Sequence, residues 1–383
     1  MGEFPRGRAA IVGAATFGSG LSPGYSATDL AAVAASRALA EAGLTPADVD
    51  GLFMMHSNDT LSGLTFSQYM GIRPKFTSNN RIGGSAFQAM VEEAAFLLDA
   101  GAIDVALVAY GSNQATIGRS VSTTAPPNPY ESPYKPQNPP SAYAMAAARH
   151  MYQYGTTKEQ LGAVALAARA WAQLNPEAYV RDPLTMADYL AARMITNPFG
   201  KLDCCLVTDG AAAIVLTRAD RAKDLARTPI HVLGAGSAVT HRDIMGMPDL
   251  TVTGAAEAGA RAYDRARVGP ADIDVLELYD AFTINPILFL EDLGFCPKGE
   301  GGRFVEDGRI APGGSLPVNT NGGGLSCTHP GMYGLFTLVE AVRQLRGECG
   351  ERQVAGAEVA LAHGNGGVLS SQATVILGTP ATV

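Results

Sequence analysis

The chain has 383 residues, enough for two domains that each bury their own core. With 47% hydrophobic and only 17% charged residues it reads as a well-packed globular chain, which excludes a disordered or coiled-coil protein. A formal net charge of −8 removes the electrostatic basis for binding nucleic acid or an anionic membrane surface.

The first 18 residues run straight into an apolar strand ending at Gly13-Ala14, without the charged-then-apolar pattern of a signal peptide. No apolar run approaches the roughly 20 residues needed to cross a bilayer, so a cytoplasmic protein is expected. Residues 33–55 have helix-like apolar spacing through Leu39, a stop at Gly43, a turn at Thr45-Pro46 and then an apolar strand. Next, Gly83-Gly84-Ser85-Ala86-Phe87-Gln88-Ala89 reads as a tight strand-to-helix turn. It opens an apolar helix containing Val91-Glu92, which leads to the strand Val105-Ala106-Leu107-Val108. The stretch from Thr123 to Pro140 is rich in proline and polar residues; so long an irregular segment is either functional or disordered, and a substrate-facing lid or dimer-contact loop is expected. Residues 141–174 carry a long alanine-rich helical pattern, expected to be a helical excursion capping the first half. The buried strand around Ala212 to Leu216 is followed by a polar, charged boundary at residues 218–229.

The second half repeats the first. It opens on a strand with Gly234-Ala235, and residues 257–279 repeat the helix, turn and strand of residues 33–55. Pro46-Ala47-Asp48-Val49-Asp50 is matched by Pro270-Ala271-Asp272-Ile273-Asp274. An apolar helix with Val339-Glu340 then leads to the strand Val359-Ala360-Leu361. Alternating strands and helices predict an α/β protein, two similar halves of layered mixed sheets and helices, with right-handed crossovers. The expected division is 1–222, including a loop and helical excursion at about 113–200, and 223–383.

Five cysteines without a CxxC pair give no metal pattern, and Cys204-Cys205, ahead of a buried strand, are expected in the core. Gly299-Glu300-Gly301-Gly302 and Gly313-Gly314 fit neither a Walker nor a Rossmann spacing. Three stretches carry candidate chemistry. Tyr279-Asp280-Ala281-Phe282 places a phenol, able to donate a hydrogen bond or exchange a proton, where it could also simply cap a strand. Asn321-Gly322-Gly323-Gly324-Leu325-Ser326-Cys327-Thr328-His329-Pro330-Gly331 is a glycine-rich loop that allows close backbone approach and carries a histidine. His363-Gly364-Asn365-Gly366-Gly367 brings a second histidine, a group that exchanges protons near neutrality.

These motifs, together with the internal repeat, resemble the thiolase superfamily over nearly the whole chain. Gly83-Gly84-Ser85 resembles the thiolase Cys-x-Ser turn, with Gly83 where the nucleophilic cysteine would be, so an acyl-cysteine at that position is excluded. Tyr279-Asp280-Ala281-Phe282 resembles Asn-Glu-Ala-Phe, and a tyrosine there is similar to the sterol side-chain aldolases, which cleave a 3-hydroxyacyl-CoA. Asn321 to Gly331 resembles the Asn-Gly-Gly…Gly-His-Pro segment, in which the histidine helps hold the thioester oxygen. Those aldolases place a tyrosine at or near this histidine, whereas this chain keeps His329 and has Tyr333 four residues on. His363-Gly364-Asn365-Gly366 resembles the Cys-x-Gly turn whose cysteine is an acid/base.

The resemblance implies Tyr279, His329 and His363 as catalytic residues, Cys327 and Tyr333 as further candidates, and Gly83, Gly84, Asn321 and Gly366 as oxyanion or turn residues. It implies retro-aldol cleavage of a 3-hydroxyacyl-CoA, in lipid or steroid degradation, with Tyr279 or His363 as base. Thiolase-like acyl transfer, direct or through Cys327, and a non-catalytic acyl-CoA-binding subunit are the alternatives. No cofactor beyond the CoA of the substrate and no metal is implied. A homodimer is expected, with a small zinc-ribbon and OB-fold protein as a possible partner.

Overall fold

A computed structural model describes residues 3–56, 59–118 and 128–383. The first half runs β1 (Ala9–Gly20), α1 (Ala27–Ala42), β2 (Gly51–Met55), α2 (Ser62–Met70), β3 (Phe76–Ser78), α3 (Ala86–Asp99) and β4 (Val105–Ser112). An excursion follows, with α4 (Pro140–Tyr154), α5 (Lys158–Gln173), α6 (Met186–Leu190) and the small hairpin β5 (Met194–Thr196) and β6 (Phe199–Gly200). The chain then returns through β7 (Asp209–Arg218) and α7 (Ala219–Ala222). The second half comprises β8 (Ile230–Val239), α8 (Ala255–Ala266), β9 (Val275–Leu278), α9 (Ile284–Asp292), α10 (Gly301–Phe304), α11 (Gly334–Arg346), β10 (Val359–Gly366) and β11 (Ser371–Gly378).

The large sheet has the order β3-β2-β4-β7-β1-β8-β11-β10-β9. Its two halves mirror each other: β2-β4-β7-β1 is answered by β9-β10-β11-β8, with the same parallel and antiparallel pairings. The halves therefore form one continuous sheet, joined where Ala10 and Ile11 of β1 pair with His231 and Ile230 of β8. The repeated sequence marks have repeated jobs. Asp48 and Asp272 each close their own turn by accepting a backbone N–H, from Thr45 and Gly269 at 2.8 Å. Asp50 and Asp274 then each clamp two N–H groups at the start of the neighbouring strand, Asp104 and Val105 in one half and Glu358 and Val359 in the other. A Cβ on Gly13 would collide with the carbonyl oxygen of Ala38 on α1, and one on Gly234 with that of Ala262 on α8, so each opening strand needs its glycine for close helix packing.

Strand alternation sorts the core into layers. Leu52, Met54, Leu107 and Ala109 face α1 and α2, while Phe53, Met55, Ala106 and Val108 face inward. The inner layer holds α3 and α11, and each touches strands of both halves. This places the N-terminal ends of α3 and α11, and the turns leading into them, where the two halves meet.

The excursion differs from the expected form. Gly155, left-handed at φ 75°, ends α4, and the reciprocal cap of Thr157 and Gln160 starts α5, so the helical pattern of 141–174 is two helices. They lie chiefly on the second half rather than capping the first: His150 bonds Glu291 of α9 at 3.0 Å, Trp171 bonds the carbonyl of Ile310, and Arg169 bonds Ser326. Of the proline-rich stretch, residues 123–127 lie outside the described residues. Residues 132–134 form one short turn that ends on the exposed Tyr134, with Tyr130 also exposed just ahead of it. No helix among the described residues is long and apolar enough to cross a membrane.

Candidate active site

Two glycine turns meet back to back under Tyr279. Gly83 has φ 86°, and a Cβ on it would lie 2.7 Å from Cα of Gly366; a Cβ on Gly366 would collide with the carbonyl oxygen of Ile82. At Gly84 a Cβ would collide with the phenol ring of Tyr279 and lie 2.7 Å from the carbonyl oxygen of Asn365. These glycines are therefore what lets the backbone approach the phenol, and the first of them leaves no room for a cysteine.

The pairing of β9 with β10 determines which groups share this face. Ala362 is level with Glu277 and His363 with Leu278, so Glu277 and, two residues on, Tyr279 stand on the inner face with Ala362 and Gly364. A Cβ on Gly364 would meet Gln88 of α3, which marks that face as inner. Tyr279 is 5% exposed and His329 is 8% exposed. The Tyr279 hydroxyl lies 3.1 Å from Nε2 of His329, with the two rings edge to face. Burial, reinforced by the neighbouring Cys205 thiol and Tyr143 phenol, raises the Tyr279 phenol well above its ordinary pKa, against a bond from the Tyr333 backbone N–H. Burial lowers His329 to about 4. At neutral pH the pair is a protonated phenol against a neutral imidazole.

His329 is placed by groups that were not among the residues singled out from the sequence. Its N–H donates to Thr208 Oγ1 at 3.0 Å, and its carbonyl accepts from Gln114 at 2.9 Å. Tyr110, at the end of β4, donates to the carbonyl of Pro330 at 2.5 Å. The loop ahead of it is anchored by Asp280, whose carboxyl accepts the N–H groups of Gly324 at 2.6 Å and Leu325 at 3.3 Å. Burial pushes this carboxyl up to about 7, opposed by those two bonds. Asn321 accepts from the N–H of Gly323 at 2.7 Å and from the Tyr333 hydroxyl at 2.8 Å. Tyr333, fully buried, packs edge-on to Tyr279 and nearly parallel to His329. Asn321 thus reaches the Tyr279–His329 pair by way of Tyr333, with no hydrogen bond of its own to either among the described residues.

Two expected site residues fall elsewhere. His363 is on the outer face of β10, packed on Phe289 of α9 at 4.6 Å. Its ring nitrogens bond Thr374 and Gln372, each at 2.9 Å, and burial lowers it to about 4. With both nitrogens engaged and the sheet between it and the phenol, it is not placed as the base. Its neighbour Asn365 continues the same buried chain, through Gln372 to His363 and through Tyr143 to α4. Cys327 points toward Asn175, whose amide lies 3.6 Å from the thiol, on the side of Glu177, Glu340 and Arg343. Burial and those two carboxylates raise its pKa, so it is neither beside the phenol nor a thiolate. The thiol that contributes to the raised Tyr279 pKa is that of Cys205, half-buried, whose N–H bonds the carbonyl of Ala281 at 2.8 Å. Burial, then Cys204 and Asp280, hold it protonated. This cysteine pair was expected in the core; both thiols are instead half-buried and pack against it, and the electrostatic effect of Cys205 on Tyr279 had no local signal.

Comparison with known proteins agrees with this architecture. The family model described as thiolase C-terminal domain-like matches residues 236–379. The chain is 36% identical to the 17-hydroxy-3-oxo-4-pregnene-20-carboxyl-CoA lyase of Mycobacterium tuberculosis, over 95% of this chain and 98% of that one. It is 35% identical to a steroid side-chain-cleaving aldolase of Thermomonospora curvata, over 89% and 91% of the two chains. The solved structure of an Ltp2-ChsH2(DUF35) aldolase superposes with a TM-score of 0.88 at 32% identity, covering 98% of each chain. With full-length relatives at this identity, and the mirrored halves and glycine turns of the fold, the chain belongs to the thiolase superfamily, in its group of thiolase-like lyases and aldolases.

Proposed function

We propose that the protein cleaves a carbon–carbon bond of a 3-hydroxyacyl-CoA by a retro-aldol reaction, without an acyl-cysteine intermediate. The observation that carries this reading is the buried Tyr279–His329 pair, set over a turn in which Gly83 offers no nucleophile. The β-hydroxyl of the substrate gives its proton to the Tyr279 oxygen as the phenol passes its own to Nε2 of His329. The electrons of the Cα–Cβ bond move into the thioester as an enolate, and the β-carbon leaves as a ketone or aldehyde. The imidazolium so formed stabilises the enolate oxygen in a site shielded from water, and its proton then returns to the α-carbon, releasing a short acyl-CoA. A raised phenol pKa suits a relay better than a free phenolate base, and a depressed histidine pKa leaves the acceptor nitrogen unprotonated.

The names of the two full-length relatives favour a steroid side chain as the acyl group. The similar aldolase structure is named for two proteins, Ltp2 and ChsH2, and a partner for this chain is proposed on that ground. A homodimer is supported by the exposed Leu61, Leu64 and Tyr69 on and beside α2, next to the edge strand β3. Incubation with a 3-hydroxyacyl-CoA, and separately with a 3-ketoacyl-CoA plus CoA, followed by mass spectrometry of products and protein, tests the reading. A short acyl-CoA and a carbonyl compound from the hydroxy substrate, with the protein mass unchanged, is the expected result. Cleavage of the keto substrate alone would establish acyl transfer instead, with an adduct on Cys327 if that thiol replaces the missing cysteine.

A further inference from the structure

Glu277 of β9 is fully buried beneath the catalytic pair, and no cation reaches it among the described residues. Its Oε1 accepts the N–H of Thr320 at 3.1 Å and lies 2.8 Å from the Thr320 hydroxyl, while Oε2 has no partner. Glu340 of α11 approaches the same hydroxyl at 2.9 Å, and Gln344 donates to it at 2.9 Å. A hydroxyl has one proton to give, so it cannot serve both carboxyl groups as acceptors. One of them must bring a proton of its own. Arg352 meets the two oxygens of Glu340 at 2.8 and 3.0 Å, a two-point ion pair, whereas Glu277 has no such partner among the described residues. Glu277 is therefore the neutral acid of the pair, as expected for a buried carboxyl beside a carboxylate. The titratable and charged groups around it are Glu340 from α11, Arg352 and Cys349 from the turn after it, Asp280 on its own segment, and Tyr333.

Thr320 leads directly into Asn321, which holds the Tyr333 hydroxyl, and Tyr333 packs against both Tyr279 and His329. We propose that Glu277 is a positioning residue that works as a neutral carboxylic acid, fixing Thr320-Asn321 so that Tyr333 is seated against the Tyr279–His329 pair. Ionisation at alkaline pH sets a second carboxylate against Glu340 and unseats Tyr333. The inference rests on the retro-aldol reading only for the turnover measurement.

The direct test needs no variant: the infrared carbonyl stretch of a buried carboxylic acid is followed through a pH titration of the wild-type protein and compared with E277Q. A carboxylic-acid band at neutral pH that disappears on alkaline titration and is missing in E277Q is expected. In the turnover arm, E277A should lose activity, and E277Q should restore it to within about threefold of wild type at neutral pH while moving the alkaline limb of kcat to higher pH. A carboxylate band for Glu277 at neutral pH, or an E277Q alkaline limb that coincides with the wild-type one, overturns the proposal. Absence of turnover on every 3-hydroxyacyl-CoA would count against the retro-aldol reading and leave the infrared result to stand by itself.

Discussion

The Tyr279 hydroxyl and Nε2 of His329 are 3.1 Å apart, and burial shifts the two groups in opposite directions, keeping the phenol protonated and the imidazole neutral. A relay of this kind fails when either member is removed. Tyr279→Phe and His329→Ala are each expected to lower kcat by about a hundredfold or more, and the double variant by scarcely more than either, because the two act as one unit. Thioester binding should persist, measured by calorimetry with a non-cleavable acyl-CoA. The acid limb of kcat should follow protonation of His329 toward about 4. Additive losses in the double variant would show two independent roles.

Gly83→Cys is expected not to create a thiolase. The residue would need φ 86° and would press on Cα of Gly366, so a loss of about 1–3 kcal/mol in stability is expected, with no acyl adduct by intact mass. Gly84→Ala should instead push on the Tyr279 ring and reduce kcat in a protein that still binds the thioester. Wild-type turnover in Gly84→Ala would mean that the phenol has freedom to move.

Cys327→Ala tests the form of the acyl-transfer alternative that runs through the Cys327 thiol. With its thiol turned toward Asn175 and its pKa raised, removal should leave kcat within about threefold of wild type. Product assays alongside intact-mass measurement check this; an acyl adduct that disappears in the variant would return Cys327 to the chemistry.

His363 should act on stability. Its ordinary pKa of 6.5 falls to about 4 in the folded protein, so the unfolded chain binds the extra proton between those values. The stability linked to it is complete above about 6.5 and is lost as the pH falls toward 4, up to about 3 kcal/mol by linkage. His363→Ala, which takes the ring away from the Gln372 side-chain oxygen and the Thr374 hydroxyl, should destabilise by about 2–4 kcal/mol. Urea midpoints at pH values from 7 down to 4 should slope less steeply in the variant; an equal slope would place the titration elsewhere.

The repeat was legible because its marks do local work: each Pro-Ala-Asp closes a turn and each following Asp clamps the next strand. Tyr279, His329, Tyr333 and the glycine turns were legible as motifs, and the structure brings them together. His363 was not, for a reason that sequence spacing does not carry. A strand shows alternate residues to opposite faces, so a shift of one position turns a group from the inner layer to the outer one. His363 is level with Leu278 and faces outward, whereas Ala362 beside it shares the inner face with Glu277.

By itself, then, the sequence determined an α/β chain of two similar halves, the absence of a cysteine at the glycine turn, and the two motifs that meet as phenol and imidazole, since each is written in contiguous residues. Tertiary structure alone decided the rest. Thr208, Gln114 and Tyr110 place His329, and Glu277 shares a hydroxyl with Glu340, because each of these contacts joins elements distant along the chain. The helices α3 and α11 lie between the two halves, and that packing brings distant groups to one point and excludes the water that would otherwise reset their pKa values.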